Sequence, residues 1–332
     1  MEDNRMYKFT DIQYTLLTDL VDSIAIPQNH KSNVFWCPKV ITKHGKKREG
    51  FILYIYGGHI LEVYAKKNGL GVCIFSDKYC QHFSTESRGR KIRQEFCDMN
   101  EQNHKGIEVL KNWGEDIWEE ICDACFKWAT KSDNPEYERM RQTRICNDAM
   151  VNDKFCVFTM EEKIFVDDKQ PEVDMVAIRC ENEKTIISYI EYKCTEAAIT
   201  GKCSINKHYG DMAKISLNDV NIARMLDLYY LKQKMLGKTI ECVDINTCKQ
   251  EMIFLISNVQ EDKLEELKTG QYMSSETLYK ELMKTLRRTD FRDGDVKVLF
   301  LEDVDVKGND KYVLDVEKTM TVSEAMERVK TK

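Results

Sequence analysis

The chain has 332 residues, 42% of them hydrophobic and 32% charged, with a formal charge of −6. That is the composition of a folded globular protein with room for two modest domains, and it excludes a disordered or collagen-like chain. An acidic total rules out a general electrostatic grip on nucleic acid and leaves that task to local positive fields.

No apolar run is long enough to cross a bilayer, and "MEDNRMYKFTDIQYTLLTDLV" is acidic and amphipathic, without the apolar block of a secretory signal. A cytoplasmic chain with no membrane partner is therefore expected. Thirteen cysteines at irregular spacing fit reduced thiols better than a disulfide framework.

Residues 1–110 read as an N-terminal α+β domain for recognising substrate or partner. A helix is expected over about 10–24. "GFILYIYGGHILEVYAKKNGLGVCIFS" then predicts three short strands, broken at Gly57-Gly58 and Asn68-Gly69. Two basic clusters stand out, "KVITKHGKKR" (39–48) and "SRGRKIR" (87–93), each either a solvated loop or a phosphate contact.

Residues 111–332 read as a second domain. A helix over about 112–129 carries the stripe Trp113, Ile117, Ile121, Cys125 and Trp128. Its Cys122-x-x-Cys125 lacks a second ligand pair, so two buried thiols are expected there rather than a metal site. Asn134 and Pro135 suit the start of another helix. Strands follow near 154–160, 163–167, 172–180 and 185–193, with "ENEK" turning between the last two. The pattern is helical from about 205 to 236, where Gly237 can end it. "EMIFLIS" (251–257) is a buried strand, and a helix near 275–288, a strand at 296–304 and a helix starting from Thr321 and Glu324 complete the chain. The fold class is α/β (α+β): a mixed sheet flanked by helices.

The chemistry concentrates in "PEVDMVAIRCENEKTIISYIEYKC" (171–194). Side chains alternate along a strand, so Asp174, Val176 and Ile178 share one face, as do Ile187, Tyr189, Glu191 and Lys193. A hairpin turning at "ENEK" sets Asp174 near Glu191 at one end of the sheet. Two neighbouring carboxylates repel unless a cation relieves them, and Mg2+ (or Mn2+) takes oxygen ligands while keeping waters and bridging to phosphate oxygens. The Tyr192 carbonyl is a candidate third ligand, and Lys193 can orient water and stabilise charge growing on a phosphate. The plain reading is a polar strand end at a solvated edge.

"PEVD" followed, after a hairpin, by "EYK" resembles the PD-(D/E)xK nuclease superfamily, the restriction-endonuclease-like proteins, over about residues 112–260. The resemblance implies a core of helix, three antiparallel strands, helix and strand, with Asp174 and Glu191 binding Mg2+ or Mn2+ and Lys193 catalytic. It departs in Pro171-Glu172-Val173-Asp174, where the acid is displaced from its proline; Glu172 is an auxiliary ligand or simply exposed. A glutamate from the first core helix is also implied, with Glu138 preferred over Glu119 and Glu120.

Downstream, Lys202, Ser204, Lys207, His208 and Lys214 are the candidate nucleic-acid contacts. Residues 193–214 hold four lysines against Glu196 and Asp211, a local field of the right sign for a phosphate backbone. His208 is also a candidate general base, and an exposed helical face would account equally well for Lys207 and His208. The expected function is Mg2+-dependent hydrolysis of DNA, with RNA as the alternative substrate. A homodimer is an open expectation, since cutting both strands often takes two centres. The competing reading is a non-catalytic nucleic-acid-binding or assembly module on a nuclease-like scaffold. No glycine-rich nucleotide loop is present.

Overall fold

Thr10 starts the first helix, α1 (Asp11–Ser23), through a capping box: its hydroxyl accepts from the Gln13 N–H, and the Gln13 side chain accepts from the Thr10 N–H. The structure, a computed structural model, describes residues 6–103, 105–131, 136–149, 155–164, 170–181, 184–212, 219–238, 243, 245–257, 259–260, 273–302 and 311–330. Its contacts divide the chain into two units, 1–147 with 230–240, and 148–229 with 241–332.

In the first unit, β1 (Val34–Lys43), β2 (Lys46–Ile55), β3 (Gly58–Ala65) and β4 (Leu70–Ile74) form an antiparallel meander in that order. β1 was not anticipated; Pro38 and the lysines of "VFWCPKVITK" obscure its alternation, and an edge position tolerates that proline. The turns fall where the sequence placed them. Tyr56 and Gly57 both take positive φ between β2 and β3, and Gly69 has φ +94° before β4. Helices α2 (Glu86–Asn103), α3 (Gly106–Asn112), α4 (Glu115–Ala129) and α5 (Tyr137–Ala149) follow.

α4 packs over β2 and β3. Tyr79 meets Trp128 edge-on at 5.1 Å, Tyr56 meets Phe126 at 5.3 Å, and Trp113 meets Trp118 at 5.6 Å, so aromatic rings supply much of this core. Cys122 and Cys125 are buried on α4 among them, and burial pushes both thiols up. The sequence reading ended this domain at 110. In the structure α4 and nearly all of α5 group with it instead, because α4's apolar stripe closes the first sheet. Asn134 and Pro135 lie outside the described residues.

The second unit holds the five-stranded sheet β11-β8-β7-β6-β5. Its members are β5 (Cys156–Lys163), β6 (Glu172–Glu181), β7 (Lys184–Lys193), β8 (Lys249–Ser257) and β11 (Val296–Leu301). β5, β6 and β7 are mutually antiparallel, whereas β8 runs parallel to β7 and β11 parallel to β8. The strand expected at 154–160 is found within β5, and most of the one expected at 163–167 lies outside the described residues. Every β7 residue after Lys184 is buried, so this central strand is covered on both faces.

Between β7 and β8 lie α6 (Glu196–Ile199), α7 (Ile205–Met212) and α8 (Asp219–Met235), the last two within the stretch of helical pattern from about 205 to 236, of which 213–218 lie outside the described residues. Gly237 ends α8 at φ +66°. A short parallel pair, β9 (Val259–Gln260) with β10 (Met273–Ser274), precedes α9 (Ser275–Leu286), which packs against α7 and against α10 (Val322–Lys330). Thr321 and Glu324 form the expected capping box at the start of α10. Among the described residues no helix is long and apolar enough to cross a membrane.

Candidate functional site

The register of the β6–β7 hairpin decides where the acidic residues meet. Val176 pairs with Tyr189 and Met175 with Ile190, where the ladder ends; one further step of that register would set Asp174 opposite Glu191, and the Asp174 side chain reaches the Tyr192 N–H there. Directly opposed residues have Cβ atoms about 5 Å apart. The hairpin therefore brings together Asp174, Glu191 and, two residues on along the same face of β7, Lys193. Its turn residues Asn182 and Glu183 lie outside the described residues.

Each charged group has a specific setting. Asp174 is half-buried, and its Oδ2 accepts the Tyr192 backbone N–H at 2.7 Å, tying the start of β6 to the end of β7. Glu191 and Lys193 are 3% and 2% exposed, which makes them an ion pair taken almost wholly out of water. Lys193 Nζ donates to Glu191 Oε1 at 2.9 Å. His208 Nδ1 lies 2.6 Å from the same oxygen, and because an ionised carboxylate only accepts, that ring nitrogen carries the hydrogen. Glu191 Oε2 is buried and accepts no hydrogen bond among the described residues. Burial pushes the Glu191 carboxyl up, but the His208 hydrogen bond and the Lys193 charge outweigh it and hold it below the usual carboxylate range.

α7 delivers His208. Ser204 precedes the helix, with its hydroxyl accepting the Lys207 N–H at 3.2 Å and its carbonyl the His208 N–H at 3.0 Å. The sequence reading gave Ser204 to nucleic acid; the structure buries it at 8% exposure and uses its hydroxyl as a helix cap. His208 likewise turns inward to Glu191, with 28% of its side chain exposed. Lys202 and Lys207 are exposed beside this turn, and Lys214 lies outside the described residues.

The remaining candidates scatter. Glu138 sits on α5 within the first unit, so the group described here is built from second-unit residues alone. Glu120 pairs with Arg88, and Glu119 is exposed. Glu172 shares the Asp174 face and is exposed. Tyr192, expected to offer its carbonyl, is fixed by its N–H to Asp174 and by its hydroxyl 2.6 Å from Ser257 Oγ, on the sheet face opposite Glu191. Among the described residues no group of three or more His, Cys, Asp or Glu side chains is arranged to hold a metal ion. Sequence reasoning missed the His208–Glu191 contact, because it depends on the path of the chain between residues 194 and 204 and leaves no local signal.

No protein-family model, curated protein or solved structure matches the chain.

Proposed function

We propose that the second unit is a metal-dependent nuclease of restriction-endonuclease-like architecture that hydrolyses phosphodiester bonds of DNA. The observation that carries this reading is Glu191 Oε2, a buried carboxylate oxygen with no donor among the described residues, on the strand face that Asp174 joins. A buried polar atom left unpaired costs about 1–3 kcal/mol, so a partner outside the chain is the economical account. The order of elements also supports it: three antiparallel strands, helices, then β8 returning parallel to β7.

The donor set suits Mg2+ or Mn2+. Such a cation binds through one or two carboxylates and keeps the rest of its shell for water and phosphate, so Asp174 and Glu191 suffice without a third protein ligand. When bound it would polarise a phosphate oxygen and lower the pKa of water. The chain's own groups do the rest. Lys193 and His208 hold Glu191 in one rotamer from the Oε1 side, leaving Oε2 as its open atom. The Tyr192 N–H holds Asp174. Lys193, at the end of the same strand face, neutralises charge growing on the phosphate. Cutting both strands of a duplex would take two such centres, hence a homodimer on DNA.

The test uses purified full-length protein with labelled DNA and RNA in Mg2+ or Mn2+. Cleavage by the wild type, and loss of at least about a hundredfold in Asp174→Ala and Lys193→Ala with unchanged circular dichroism, is the expected result. A wild type that cuts neither polymer with either metal overturns it.

One observation favours the non-catalytic reading. Lys193 and His208 already neutralise Glu191, so the fold closes electrostatically without an ion. Calorimetric titration with Mn2+ separates the two, because a scaffold of that kind takes up no metal at Asp174 and Glu191.

A further inference from the structure

The geometry points to a second functional surface, on the first unit: the turn end of the β1–β2 hairpin binds the phosphodiester backbone of nucleic acid. His44 and Gly45 form a two-residue turn with positive φ at both positions, +52° and +73°, the conformation that holds a hairpin rigid. That turn sets Lys43 directly opposite Lys46. Like charges in a cross-strand pair are destabilising, and Lys46 forms no ion pair among the described residues.

The positive charge continues across the same face. Arg48, two residues beyond Lys46, lies 4.6 Å from the Tyr7 ring centroid and 5.7 Å from that of Tyr64. Lys46 lies 5.7 Å from Tyr7, and Lys43 and Lys66 lie 5.9 and 6.0 Å from Tyr64. Four cations thus converge on two tyrosine rings. The acid facing them is Glu62, which pairs with Lys43 and His59. Glu49 points to the other face of β2 and accepts the Phe9 N–H at 2.8 Å.

Rings under the ammonium and guanidinium groups hold them in place and reduce the ordering cost of meeting an anion. Alternate residues of a strand are about 7 Å apart, so Lys46 and Arg48 can address neighbouring phosphates. Tyr64 is itself buried at 7% exposure, so the grip is on the backbone and carries no base preference. A lipid surface is the poorer fit, since an interfacial site needs an apolar face beside its cations. The surface does not depend on the nuclease reading.

The second basic cluster on this unit provides the contrast and the control. On α2, Arg88 pairs with Glu120, Arg90 with Glu86, Lys91 with Glu95 and Arg93 with Asp77.

The experiment measures fluorescence anisotropy of the full chain in EDTA, which prevents metal-dependent cutting. Probes are a short single-stranded oligonucleotide and its duplex, over a series of salt concentrations. Lys46→Glu with Lys66→Glu should weaken binding at least about tenfold and reduce the salt slope by roughly 2, as loss of two phosphate contacts requires. Arg90→Glu with Lys91→Glu, the same charge change, should shift it by less than about threefold. The neutral pair Lys46→Gln with Lys66→Gln repeats the measurement should the reversed one fold poorly. Equal effects of the two charge reversals overturn the proposal. So does patch-dependent binding of polyglutamate or phosphatidylserine vesicles without nucleic-acid binding. Cleavage followed separately in Mg2+ keeps the two readings apart: binding lost in the patch variants of a chain that never cuts would retain this surface and remove the nuclease.

Discussion

Two glutamates on adjacent strands of one sheet, Glu191 on β7 and Glu251 on β8, meet opposite fates. Glu251 pairs in register with Ser188, whereas Glu191 lies one strand face away, beside Tyr189 and Lys193. Arg179 grips Glu251 through Nε at 2.9 Å and Nη2 at 3.0 Å, Ser188 adds a hydroxyl at 2.5 Å, and Lys297 reaches Oε2 at 3.0 Å. Both oxygens are filled. Glu191 receives two donors on one oxygen and none on the other. Glu281 on α9 is half-filled in the same way, with Oε1 on Lys284 and Oε2 buried without a donor among the described residues; what sets Glu191 apart is the second acid, Asp174, at the same end of the hairpin.

The largest effect should come from breaking the filled network. Glu251→Ala takes two hydrogen bonds from Arg179, itself 5% exposed, leaving Glu181 as its acid partner, and also removes the acceptor of Ser188 and Lys297; it is expected to cost about 3–5 kcal/mol in denaturant unfolding. Glu191→Gln should cost less, about 1–3 kcal/mol: the amide oxygen still accepts from Lys193 and His208, but Lys193 loses its opposite charge and the new NH2 is buried. Equal losses in the two variants would erase the distinction.

Metal should sharpen it next. Mn2+ at a hundred times its dissociation constant stabilises a binding protein by about 2.7 kcal/mol. The wild type is expected to show that shift in thermal unfolding, and Glu191→Gln to show none. A shift of equal size in both would place the metal elsewhere.

Acid gives the smallest effect. Burial pushes the Glu251 carboxyl up, but the bonds from Arg179, Ser188 and Lys297 outweigh it and hold it below its ordinary value of 4.5. The unfolded chain therefore binds the proton first as pH falls. The stability this group contributes is complete above the ordinary carboxylate value and is lost as pH drops through the lower folded value. Glu251→Gln should accordingly show a flatter stability curve on the acid side than the wild type, by denaturant titration at several pH values.

The hairpin of β6 and β7, the buried strand β8 and the α10 capping box were legible because each rests on residues adjacent in sequence: alternation, a continuous apolar run, a Thr-x-x-Glu spacing. The juxtaposition of Asp174, Glu191 and Lys193 was legible for the same reason, since a hairpin converts local register into proximity. β1 was hidden by its proline and lysines. The domain boundary was misplaced because α4 shows its apolar stripe without showing which sheet the stripe covers. That His208 and Ser204 both turn inward was not legible, because a loop, with no periodicity to read, sets how α7 meets the end of β7.

The two basic clusters make the same point in charge. "KVITKHGKKR" and "SRGRKIR" are alike on paper, yet one sits over tyrosine rings with its lysines opposed, and the other is neutralised residue by residue. By itself the sequence determined the strongly periodic elements, the strand faces and the pairing of acids across one hairpin, since those follow from periods of 2 and 3.6 residues. The tertiary structure alone decided which carboxylate oxygens go without a donor among the described residues, which histidine holds its neighbour and which cations gather over tyrosine rings. Those are contacts between residues distant in the chain, and no local period encodes them.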